Sequence, residues 1–177
     1  MKNTVLLLAV VIVFISCKKE IKNLPEPTQT GAHTFGAKVN GENWGPLEAG
    51  VLPTLPVLEA RFAADSSVFI NARNYSRTPT ETEMEIYLKH VSVPGIYKLN
   101  QTTAAYPNQS ASYAHFVKRK FTIEDEWITG PENGGEVEVT KIDWENKIIS
   151  GTFSFTAKPL YTTVLTVTEG RFDVRIN

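Results

Sequence analysis

Cys17 is the residue whose position most plainly prescribes a chemistry. It is the single cysteine of the chain and closes Phe14-Ile15-Ser16-Cys17, after the apolar run Val5 to Ile15 and with Lys2 ahead of it. A charged start, an apolar stretch, a small residue and then a cysteine is the layout of a bacterial lipoprotein signal. In that chemistry the thiol takes a diacylglyceryl group and the peptide bond before Cys17 is cut. The new amine is then open to acylation, for instance by palmitate. The run of about 11 residues falls short of the ~20 that a helix needs to cross a bilayer. Two or three acyl chains anchor stably where one is marginal. The expectation is that residues 1–16 leave and that the lipid on Cys17 holds the protein at the bacterial outer membrane. The periplasmic or cell-surface face is left open.

Asp125 is the next residue of interest. It lies in Glu124-Asp125-Glu126-Trp127, the densest acidic cluster. In a strand it would share a face with Phe121, Ile123 and Trp127. A buried carboxylate needs a partner or a raised pKa, and a raised pKa is how catalytic acids are made. The plainer alternative is that the strand ends there, or that Lys118, Arg119 or Lys120 solvates the charge. Trp44, Tyr106, Tyr113 and Trp127 form a candidate ligand-binding set, with Tyr75 and the amides of Asn74, Asn100, Gln101, Asn108 and Gln109 nearby in sequence. Rings that stack on a sugar, with amides bonding its hydroxyls, would make a carbohydrate site. The alternative is that Trp44 and Trp127 cap the core. His33, His90 and His115 fall on separate segments, and no spacing argues for a metal site. His90 shares the parity of Met84, Ile86 and Leu88, so it reads as a hydrogen-bonded histidine at the end of a core face. Glycine loops for phosphates, HExxH, GxSxG, CxxC and EF-hand patterns are missing, and no cofactor is implied.

Charge narrows the partners. The chain has 18 basic and 19 acidic residues, a formal charge of −1, without the basic stripe that nucleic acid requires. Losing the signal leaves no second cysteine, so no intrachain disulfide can form. The core must carry the fold.

Strand signals dominate the elements that would position these residues. Thr34 to Val39 and Glu42 to Trp44 flank Asn40-Gly41, the strongest short hairpin signal, because both turn residues tolerate positive φ. Val57 to Ala64 and Val68 to Tyr75 read as strands. Thr82 to Val91 alternates, with Met84, Ile86 and Leu88 inward and Glu81, Glu83, Glu85 and Lys89 on a wet face. Ile96 to Leu99, Tyr113 to Val117, Lys120 to Thr129, Glu136 to Trp144 and Lys147 to Lys158 follow. Phe153 and Phe155 face inward. In Val164 to Ile176 the inward parity changes, which predicts a bulge at Glu169-Gly170. The fold class is all-β: an antiparallel β-sandwich or partly open barrel of about nine or ten short strands. The organisation is a signal over 1–16, the lipidated cysteine and a flexible tether over 17–31, and a single β-domain over 32–177. Proline and polar residues make the tether an extended spacer of roughly 35–40 Å.

Several blocks together resemble a known family. They are Thr34-Phe35-Gly36, Val39-Asn40-Gly41 with Trp44, Ile149 to Phe155 (Ile-Ser-Gly-Thr-Phe-Ser-Phe) and Val167 to Val174 (Val-Thr-Glu-Gly-Arg-Phe-Asp-Val). The chain resembles a family of Bacteroidota lipoproteins of unknown function. The resemblance implies a secreted, lipid-anchored β-domain and carries over no catalytic residue. Members often have a cysteine where this chain has Ala37, so any disulfide using it is absent here.

The functional expectation is a non-catalytic binding or structural accessory of the envelope. Its partners would be the membrane through Cys17, and a glycan or an envelope protein. The alternative is a carbohydrate-binding module, and the third reading is a hydrolase using Asp125. A cleft that joins Trp44 or Trp127 to amides would favour a binder.

Overall fold

Asn40 and Gly41 turn the first hairpin as the sequence requires. Both take positive φ, 50° and 87°, and this turn's twist matches that of its flanking strands. They join β1 (Thr34–Val39) to β2 (Glu42–Trp44). The computed structural model describes residues 20–48, 56–77, 80–103 and 110–176; Cys17 and Tyr106 lie outside the described residues. The further strands are β3 (Leu58–Phe62), β4 (Val68–Arg77), β5 (Thr80–Leu88), β6 (Gly95–Lys98), β7 (Tyr113–Lys120), β8 (Thr122–Ile128), β9 (Gly135–Asp143), β10 (Ile148–Pro159) and β11 (Leu165–Arg175). The fold is all-β, and eleven strands are formed among the described residues where the sequence suggested nine or ten.

All the strand pairings are antiparallel, in the order β2-β1-β11-β10-β8-β7-β5-β4-β3, with β9 on β10 and β6 on β9. The path does not return on itself, so no barrel closes. β10 joins the two halves. Its residues 148–157 pair with β9 and β11, while Lys158 and Pro159 pair with Ile128 and Trp127 of β8. One core cluster is shared between the halves: Phe35, Val139, Phe153 and Val174 from one, Ile70, Met84 and Phe116 from the other.

Period-two patterning puts these side chains inside. Phe153, Phe155 and Phe172 are all buried, as expected, while Thr152 and Ser154 face out. The parity change in β11 is a bulge. Phe155 pairs with Val167 but Phe153 pairs with Gly170, and Glu169 takes φ 51° to absorb the extra residue. A Cβ on Gly170 would stand 2.4 Å from the Phe153 ring. Only glycine lets that ring lie on the backbone.

Two expectations need correction. The first is the wet face of β5. Met84, Ile86 and Leu88 point inward, but Glu85 and Tyr87 on the other face are buried as well, as are Asn71 of β4 and Tyr113, His115 and Val117 of β7. Alternation of charge with apolar residues marked the two faces correctly and misjudged how deep the second one lies.

The second correction concerns the tether. From residue 20 to 31 the chain lies along the outer face of β11 and its neighbours. The Lys22 carbonyl accepts from Asn43 Nδ2 at 2.8 Å, the Gln29 carbonyl from Lys141 Nζ at 2.9 Å and the Gly31 carbonyl from Arg175 Nε at 2.8 Å. Pro25 crosses β1 at Gly36, where a Cβ would come within 2.6 Å of Pro25 Cδ. Asp173 is the main fastening. Its Oδ1 accepts from Gly31 N and Ser150 Oγ, and its Oδ2 from Thr28 Oγ1, Thr30 N and Ala32 N, at 2.6–3.0 Å. Proline-rich backbone needs no ladder of its own, so carbonyls facing basic side chains are enough to fix it. This segment is a docked strap.

Candidate functional site

Four connections gather at one end of the sheet. Arg77 and Thr80 flank the β4–β5 connection, Lys120 and Thr122 the β7–β8 turn. Asn40, in the β1–β2 turn, exchanges two hydrogen bonds with Thr166 at the start of β11, at 2.8 and 2.9 Å. The β10–β11 loop, residues 160–164, lies beside them. Between these elements is a cleft of about 720 Å³. Trp44, Phe116 and Trp127 line it, with Asn74, Thr82 and Lys118.

The aromatic rings are held from several sides. Trp44 meets Phe116 edge-on at 5.6 Å between ring centres, and Phe116 meets Trp127 at 5.8 Å. Trp44 Nε1 donates to Thr82 Oγ1 at 2.9 Å, and Trp127 Nε1 donates to the Thr163 carbonyl at 2.7 Å. Asn74 is spent on the frame: Nδ2 donates to the Gly45 carbonyl at 2.7 Å, and Oδ1 accepts from Ser76 N at 2.9 Å. With Trp44 at 8% and Trp127 at 9% exposure, the rings form a fixed apolar floor and expose little face for stacking. The arrangement suits a ligand with an apolar body, with polar groups meeting the threonines and Lys118 at the sides.

The structure thus brings Trp44, Trp127 and Asn74 together and separates Tyr113 from them. Tyr113 points to the opposite face of its sheet, stacks on Tyr87 at 5.5 Å and donates its hydroxyl to Glu85. Phe116 was missed. Odd and even positions of β7 are both buried, so alternation could not say which side met the cleft.

Asp125 acts as a clamp. It is 3% exposed and accepts from Tyr161 N at 3.1 Å and from the Thr162 hydroxyl, fastening the β10–β11 loop to β8. Burial pushes its pKa up, but the Thr162 hydroxyl and the Tyr161 and Glu126 amides outweigh it and hold the carboxyl below its usual range. A catalytic acid needs the opposite shift. Asp125 and Trp127 are buried, but Phe121 and Ile123 do not share their face as the alternation suggested: Phe121 lies in the β7–β8 turn, and a bulge that pairs Asp125 with Lys118 but Ile123 with Arg119 turns Ile123 to the other side.

The histidines stay apart. His33 Nδ1 accepts from Arg175 N while Nε2 faces the Leu58 carbonyl. His90 is not at the end of a core face. β5 has ended at Leu88, and the ring is exposed in a turn against the Asp65 carbonyl at 2.9 Å. His115 is buried, with Nε2 3.2 Å from Glu126 Oε2. Burial lowers its pKa against the raising pull of Glu126. Among the described residues no group of three or more His, Cys, Asp or Glu is placed to hold a metal ion. His115 belongs to a cross-strand row, Glu59-Asn71-Glu85-His115, laid down by the registers of β3, β4, β5 and β7.

No curated protein and no solved structure matches the chain. Residues 57–174 match the domain of unknown function DUF6252, a span that includes β3 to β10 and nearly all of β11 and leaves out the strap, β1 and β2. The chain therefore belongs to the DUF6252 family.

Proposed function

We propose that this is a lipid-anchored envelope protein of the Bacteroidota type, non-catalytic, whose β-domain binds a ligand in the cleft floored by Trp44, Phe116 and Trp127. The observation that carries the reading is the cleft itself. Its volume falls within the roughly 300–1,000 Å³ of small-molecule sites, and its make-up follows theirs, an apolar floor with a few placed polar groups. The lipid rests on the signal layout around Cys17, and mass spectrometry of the mature N-terminus should find that cysteine acylated.

The cleft is tested with the lipid-free domain, from residue 20 onward, on a glycan array and on a panel of fatty acids and phospholipid headgroups. Thr80 lines the cleft, so Thr80→Trp should fill it while leaving the core alone. Hits that vanish in Thr80→Trp support this site. Glycan hits alone would favour the carbohydrate-binding reading. Binding that survives the substitution, or no hit on either panel, would put the structural accessory role ahead.

A further inference from the structure

Five large apolar side chains are exposed at the end of the molecule that holds the cleft. Phe121 is 90% exposed, Tyr161 72%, Ile123 53%, Leu160 52% and Val164 47%. Phe121 is the tip of the β7–β8 turn and takes φ 68°, an uncommon backbone for a bulky residue. Leu160 and Tyr161 lie against the strand that follows this turn. Leu160 N donates to the Glu126 carbonyl at 2.8 Å and Tyr161 N to Asp125, which fixes their loop to the strand that carries Ile123. Lys120 and Lys158 flank the patch, exposed, and neither makes an ion pair among the described residues. Aromatic and aliphatic tips bordered by lysines match a membrane interface, where rings sit at headgroup level and lysine stems reach past them.

The chain's own route leads to the same end. Glu20 and Ile21 line the cleft together with Lys118 and Leu165. Cys17 is three residues before Glu20, and three residues span at most roughly 10–11 Å. The docked strap leaves no longer spacer. We propose that this end of the fold rests on the bilayer that holds the lipid of Cys17, with Phe121, Leu160 and Tyr161 at the lipid interface. The cleft then opens at the membrane surface, and its ligand arrives along the membrane. The inference rests on the lipid reading of Cys17.

The absence of any other cysteine provides the test. Once Cys17 carries lipid, a single introduced thiol takes a polarity-sensitive dye alone. The full lipidated chain is placed in vesicles of phosphatidylethanolamine and phosphatidylglycerol, with Phe121→Cys, Tyr161→Cys or, at the far end between β5 and β6, Val93→Cys. Dyes at 121 and 161 should shift to the blue, be quenched by a bilayer-borne quencher and resist iodide about threefold better than the dye at 93. Equal iodide quenching at all three positions, with the chain bound to vesicles, overturns the orientation and spares the anchor. A Cys17 that itself takes the dye refutes the anchor, and the orientation with it. Protection from iodide that rises with protein concentration and needs no bilayer assigns the patch to contact between copies and overturns the proposal.

Discussion

Replacing Asp173 by asparagine is expected to remove about 3–5 kcal/mol of stability, at about 1–3 kcal/mol for each buried group left unpaired. Asp173 is 1% exposed, and both oxygens accept hydrogen bonds. An asparagine NH₂ would face either the Gly31 and Ser150 donors or the Thr28, Thr30 and Ala32 donors. Burial pushes the carboxyl up, but the Thr28 hydroxyl, the Ala32 amide, the Ser150 hydroxyl and the Gly31 amide together hold it far below the usual carboxylate range. The folded chain thus takes up this proton at lower pH than the unfolded chain. Its stabilisation is complete above the unfolded pKa, near ~4, and is lost as pH falls from there towards the depressed folded value. Urea unfolding at pH 7 and pH 3 should show the parent weakening with acid and Asp173→Asn weakening less. Cutting the chain back to His33 removes four of the same donors, so truncation and substitution together should cost less than their sum. A variant within about 1 kcal/mol of the parent at pH 7 would show that the strap does not hold the fold.

Phe153→Ala should cost a comparable amount, about 3–5 kcal/mol. Its ring lies 5.1 Å from that of Phe35 and 6.3 Å from those of Phe155 and Phe172, centre to centre, and its far side rests on the backbone at Gly170. The hole cannot collapse by rotation of a neighbouring side chain on the glycine side. The exposed Phe121 gives the contrast, since Phe121→Ala in the lipid-free domain should stay within about 0.5 kcal/mol of the parent. A loss below about 1 kcal/mol for Phe153→Ala would mean that this ring does not fill the core between β1, β10 and β11.

Local chemistry explains which parts of the fold could be read in advance. Asn40-Gly41, the alternation through β5 and β10 and the parity slip at Glu169-Gly170 all express constraints between residues a few positions apart. The strap was not legible because its partner, Asp173, is more than 140 residues away from it. On its own strand, Asp173 alternates with Phe172 and Val174 and reads as a solvated outer position. Glu85 misled for the same reason: polarity announces which face a residue takes, and burial depends on what covers that face. The candidate site was half legible. Trp44 and Trp127 were singled out as large rings near strand ends and do meet in one cleft. Tyr113 was grouped with them by composition, and the register of β7 sends it to the other side.

The position of β11 sets the order in which the molecule can be completed. It is the last strand in sequence, yet it lies between β1 and β10, and its Asp173 fastens residues 28–32. Until residues 165–176 emerge, β1 has only the short β2 to pair with, and the strap has nothing to grip. Contacts between the two ends of a chain form slowly, because the closure of so long a loop comes first. A chain that lacks residues 165–176 therefore keeps both β1 and the strap open, and the two close together once β11 is in place.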